Sequence, residues 1–158
     1  MYPNFNLAED CKIVKLFHGA ANAVDCDYVS MKNAVKAWFV ISHNGSTDTD
    51  LTLTVTEAAD VAGTSAATVG QTCPIWTCVS TTSLDAFTRA TDATALTIDP
   101  ATQGTMLAII EWDPAKHAEG LDCITLADSG GNASDTCVVL IVIQSKFAQA
   151  SPPSAIVD

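Results

Sequence analysis

Leu51-Thr52-Leu53-Thr54-Val55-Thr56 alternates apolar and polar residues without a break, and only a β-strand can use that pattern. Side chains two apart along a strand share a face, so three aliphatics line one side of a sheet and three threonines the other. Branching at Cβ in Thr and Val stiffens χ1 and adds to the preference for an extended backbone. The same signature recurs along the chain. Lys36 to Ser42 reads as a strand whose continuous apolar run predicts burial on both faces. Pro74 to Ser80, Ala86 to Ala90, Ala95 to Ile98, Thr105 to Trp112 and Asp122 to Leu126 are further candidates. Thr136 to Ser145 is the most apolar stretch and is expected in the middle of a sheet. Asn44-Gly45, just after the second of these strands, is a hairpin signal.

Helical signals are few. Glu57 to Asp60 has the composition for one turn, and Leu7 to Lys15 for a weak helix. Pro114 to Ala118 forms a further candidate turn, with Asp113 as cap, Pro at the first position and Gly120 beyond the end. Short strands punctuated by turn residues, without the long helices of a parallel α/β sheet, predict an all-β, single-domain β-sandwich or jelly-roll-like fold. Residues 1–26 carry no clear strand period and are read as an N-terminal arm. The domain then spans 27–147, and the Pro-containing 148–158 forms a C-terminal arm.

The charge pattern narrows the function. The chain has 158 residues, 16% of them charged, and a net charge of −11. Up to residue 36 the four lysines balance four acids, whereas from residue 37 onward three basic groups face fourteen acids. A nucleic-acid backbone needs clustered Lys and Arg, and the only arginine is Arg89, so direct nucleic-acid binding is not expected. No basic segment followed by an apolar run opens the chain, and the longest apolar run, Cys137 to Ile143, is too short to span a bilayer. Synthesis in the cytoplasm, without a membrane partner, is the expectation. In that compartment Cys11, Cys26, Cys73, Cys78, Cys123 and Cys137 are expected as reduced, buried thiols.

Candidate chemistry is sparse. His18, His43 and His117 sit in no hydrolase or nucleotide-binding motif, so no catalytic residue and no cofactor are assigned. A Cys–His pair would require proximity that spacing does not reveal. Cys73 and Cys78 have four residues between them but no second tight pair to complete a zinc site; core thiols, or one disulfide across a bend, are the alternatives. Asp48-Thr49-Asp50 lacks the further spaced ligands of a calcium loop and reads as a solvated turn. No metal site is assigned. Trp38, Trp76 and Trp112 lie in apolar strand sequence, where core packing is the expectation and a carbohydrate site the alternative.

Several stretches carry a resemblance. They are Asp27 to Ala34, Leu51 to Thr54 leading into Ala58 to Thr64, Pro74-Ile75-Trp76, Asp122 to Thr125, and the ending from Phe147 to Ile156. Together they resemble the head decoration (capsid cement) proteins of tailed bacteriophages, over most of the chain from about Asp27. The resemblance implies a non-enzymatic virion structural protein on the outside of an icosahedral head. Its expected partners are further copies, as a homotrimer, and the major capsid protein. It transfers no binding residue. A head fibre or glycan-binding jelly-roll module for host attachment, and a tail or neck structural protein, are the alternatives.

Overall fold

The computed structural model describes residues 7–45, 49–80 and 85–145. The proposed C-terminal arm, 148–158, lies outside them, as does Asp48. The described chain is an all-β sandwich of two antiparallel sheets, as the alternation predicts. One sheet has six strands in the order β1 (Cys11–Ala20), β11 (Thr136–Ser145), β3 (Ala34–Asn44), β9 (Met106–Trp112), β6 (Ile75–Val79), β7 (Thr88–Arg89). The other joins β2 (Val29–Ser30), β10 (Cys123–Gly130), β4 (Leu51–Ala58) and β5 (Ala67–Thr68), with β8 (Ala95–Ile98) sharing the free side of β4 with β5.

Successive strands mostly alternate between the sheets. This explains why Asn44-Gly45 does not close a hairpin: β3 and β4 belong to different layers, so the connection crosses the sandwich. Gly45 is needed there for space instead, because a Cβ at that position would lie 2.2 Å from Cγ of Asp135.

The inner face of the six-stranded sheet is built in rows across the strands. One row runs Val14, Ile141, Phe39, Ile110, Ile75, and all five are buried. Leu51, Leu53 and Val55 meet it from the other sheet with Ile124 and Leu126, and the three β4 side chains are completely buried. The threonines that alternate with them lie on the other face, as the period requires, and Thr56 is buried there as well.

The reading of residues 1–26 as an arm needs correction over its later part. Cys11–Ala20 is a ten-residue strand paired with β11 along its whole length, and Ala21 and Val24 are core residues. The Thr125 hydroxyl donates to the carbonyls of Cys26 and Asp27, tying the following segment to β10. The strand period was hidden because the register shifts between Lys15 and Phe17, so neighbouring Leu16 and Phe17 both turn toward the core. Of the expected Leu7–Lys15 helix only α1 (Leu7–Asp10) forms.

Other local expectations also change. Glu57 and Ala58 continue β4 instead of forming a helical turn, because they pair with Ile124 and Cys123 of β10. The Asp113-capped turn forms as a 3-10 turn, Pro114–Lys116, with Ala115 N–H donating to the Asp113 carboxylate. The same cap-and-proline pattern at Asp99-Pro100 starts α2 (Pro100–Gln103), which the sequence reading passed over.

Deleting residues 1–14 is expected to destabilise the isolated protein, because it removes the Cys11–Val14 half of β1. Loss of two buried side chains predicts about 2–4 kcal/mol in denaturant unfolding. A dispensable arm would leave the midpoint unchanged.

Candidate functional site

Three places gather the side chains that carry chemistry: the inner row of the six-stranded sheet near one end of β3, a buried network at the other end of β9, and the outer face of the same sheet.

The inner row runs Gly19, Cys137, His43, Met106, Val79 across five strands. The fold thus places a thiol directly beside an imidazole, which spacing could not reveal. Both side chains are completely buried, and among the described residues neither ring nitrogen of His43 has a hydrogen-bond partner. The carboxylate of Asp135, itself 3% exposed, stands 3.9 Å from Nε2, too far for a hydrogen bond. Burial lowers the pKa of His43 more than Asp135 raises it. Burial, with the nearby Asp128 charge, pushes the Cys137 thiol up to about 12. Cys26, close enough to feel Cys137, is likewise pushed to about 12, chiefly by burial. A nucleophilic pair requires a thiolate beside an imidazolium and a route for substrate. Here both groups are held neutral inside a packed core, so the pair works as packing.

The second network joins three elements. Glu57 of β4 and His117, after the 3-10 turn, are 3% and 7% exposed at the side chain. The Trp112 indole N–H donates to Nε2 of His117 at 3.2 Å. That bond requires an unprotonated Nε2, so the ring proton is on Nδ1, which donates to Glu57 Oε2 at 2.9 Å. The Ala118 N–H donates to the same oxygen. Trp112 also meets the imidazole edge-on, with ring centroids 5.1 Å apart. Both ring nitrogens are therefore occupied, and the arrangement fastens the 113–118 segment across both sheets. Beside it opens a groove of about 420 Å³, lined by Met31, Ala34, Leu121, His117 and the ion-paired Lys32 and Asp122.

The outer face of the six-stranded sheet is the third place. One row crosses every strand: Lys15, Leu140, Val40, Ile109, Trp76, Arg89. Ile13, Val142, Trp38 and Glu111 form the next row, and His18, Val138, Ser42, Leu107 and Cys78 the one on its other side. Leu140, Val40, Ile109 and Val142 are half-buried and Ile13 is 50% exposed. The two-sided burial expected for β3 is thus not met: its inner residues are sealed and its outer ones face solvent.

The tryptophans divide accordingly. Trp112 is a core residue, whereas Trp38 and Trp76 lie half-buried on the outer face. Trp38 donates its indole N–H to Glu111, which also holds the Lys36 ammonium at 2.8 Å. The Arg89 guanidinium lies 4.6 Å from the Trp76 ring centre and is itself paired with Asp92. A sugar site needs a bare ring face with free polar groups around it; Arg89 covers a face of Trp76, and the polar edge of Trp38 is committed to Glu111.

Cys73 and Cys78 are both buried, Cys73 in the core and Cys78 on the outer-face side of β6. All six cysteines are buried, and none is joined in a disulfide. Among the described residues no group of His, Cys, Asp and Glu side chains is arranged to hold a metal ion. Among the same residues no helix is long and apolar enough to cross a membrane.

Two consequences are measurable. The folded state keeps His43 neutral, so below its ordinary pKa of 6.5 the unfolded chain takes up the proton first. The His43 contribution is retained above that pH and lost as pH falls beneath it. His43→Leu is expected to flatten this part of the stability–pH curve, as the wild-type-minus-variant difference between pH 7 and 5. His117→Ala removes one of the two donors to the buried Glu57 carboxylate and leaves the Ala118 N–H; losing this charge-assisted hydrogen bond is expected to cost about 1.5–3 kcal/mol in chemical denaturation.

No known family model, curated protein or solved structure matches this chain.

Proposed function

We propose that this chain is a non-enzymatic structural protein that acts by adhesion, as a decoration protein on the outside of a tailed-phage head. There it bridges major capsid subunits and contacts its own copies. The observation that carries the adhesion reading is the outer face of the six-stranded sheet. Apolar side chains run across it from β1 to β6 on a molecule of net charge −11. A contiguous band of half-exposed apolar side chains favours a partner, because contact removes the remaining apolar area from water. The assignment to a phage head comes from the sequence resemblance.

The interior supports the same reading. The thiol–imidazole pair is sealed in the core, and both nitrogens of the other buried imidazole are committed to hydrogen bonds. A stiff, densely packed sandwich transmits load between the surfaces it joins. Repetition around a symmetric shell multiplies many weak contacts.

The test is binding of the purified chain to DNA-free capsid shells of the virus that encodes it, read by co-sedimentation. Saturable binding with a fixed number of copies per shell is expected, together with a raised shell melting temperature. Shells that bind none of the chain at tens of micromolar, a range well above typical working affinities, would sink the proposal.

A further inference from the structure

The adhesion reading leaves two occupants for the outer face of the six-stranded sheet: the shell and another copy of the chain. We infer that this face takes a second copy, in a two-fold, face-to-face contact; the inference rests on the adhesion reading of the same face. Three observations carry it.

The first is charge. Each molecule carries −11, so two copies repel along most approaches. Of the eighteen acids in the chain, only Glu111 projects from a strand position in the three rows of this face, and Lys36 neutralises it. Arg89, at the far end of the central row, is matched by Asp92. The strand positions of the face therefore present one acid, already paired with Lys36, and with Lys15 in the central row they carry none of the net negative charge of the molecule to set against a second copy. The face asks little of a partner's charge, and a like surface meets that demand.

The second is area. The five strand pairings of the sheet run from ten residues down to two and average roughly seven; at about 3.3 Å per residue and about 4.8 Å between strands they make a face of roughly 550 Å². Two such faces together cover roughly 1,100 Å², which reaches the ~1,000 Å² expected of a specific interface.

The third is shape. The centre of the face is Val40, flanked by Leu140 and Ile109 in the same row, with half-buried tryptophans to one side. Short branched side chains on a pleated sheet interdigitate with another such sheet, as the inner faces of this protein do with each other. A contact of one surface with itself closes as a two-fold dimer. The homotrimer implied by the resemblance would use other surfaces of the molecule.

Light scattering on the full chain separates the possibilities. Wild type is expected at twice the chain mass of 16.5 kDa at tens of micromolar. Val40→Glu and Leu140→Glu, each a half-exposed position, are expected at the single-chain mass with at least a 100-fold weaker dimer. Thr97→Glu on the opposite sheet serves as the control and is expected to leave the dimer intact. Melting curves on each variant verify the fold, and two separate positions guard against one failing to fold. A wild-type monomer throughout, or an oligomer that survives both face substitutions, would overturn the inference.

The shell-binding assay on the same proteins keeps the two readings apart. A monomer that binds shells and loses that binding with Val40→Glu leaves decoration standing and gives the face to the capsid. A face-dependent dimer that ignores shells upholds the self-contact and removes the capsid.

Discussion

The sealing of two inner sheet faces against each other is the constraint on which the remaining architecture depends. Phe39, Ile41, Ile110 and Ile141 of one sheet and Leu51, Leu53, Val55 and Leu126 of the other are 0–1% exposed. Apolar burial of this kind is the main favourable term in folding and is non-directional, so it fixes a layer arrangement without fixing a reaction. It also dictates the chain path. Strands that alternate between layers must pair with partners distant in sequence, and β1 accordingly closes on β11. Such non-local pairing is slow to form, because long loops must close before contacts repay the entropy.

Polar groups inside this core follow two different solutions. The Trp112–His117–Glu57 network is complete: each buried donor or acceptor has its partner, and one proton position satisfies the whole set. His43 is the opposite case: it sits between Cys137 and Met106 in its row, and no described residue pairs with either nitrogen. An unpaired buried ring costs free energy, and in exchange the imidazole stays neutral and fills space. Neither arrangement frees a nitrogen toward solvent. Both buried imidazoles thus serve the scaffold, and the surface that stands out is the outer face of the larger sheet. The same β3 and β11 strands supply both, with sealed residues on one side and half-open ones on the other.

The sequence reading was most faithful where one local rule acted alone. Leu51 to Thr56 kept its period, the Asp113-Pro114 cap formed its turn, and the apolar Thr136–Ser145 stretch became an interior strand. It failed where a tertiary choice intervened. A register shift hid β1 by turning Leu16 and Phe17 inward together. Asn44-Gly45 had hairpin chemistry, yet the next strand belonged to the other layer. Pairing with β10 drew Glu57 and Ala58 out of a helical turn. Trp38 and Trp76 looked like core because strand sequence shows period but not which side meets another sheet.

What the sequence by itself determined is the material: strands with apolar stripes, few helix signals, a charge-poor but acidic surface and six thiols without a zinc pattern. These follow from local backbone preference and from counts, which no folding step alters. Tertiary structure alone decided which apolar stripe would be sealed and which left open, and that Cys137 would stand beside His43 and His117 beside Glu57. The reason is physical: side-chain period along a strand has two faces by construction, and only the pairing of distant strands and the stacking of sheets chooses between them.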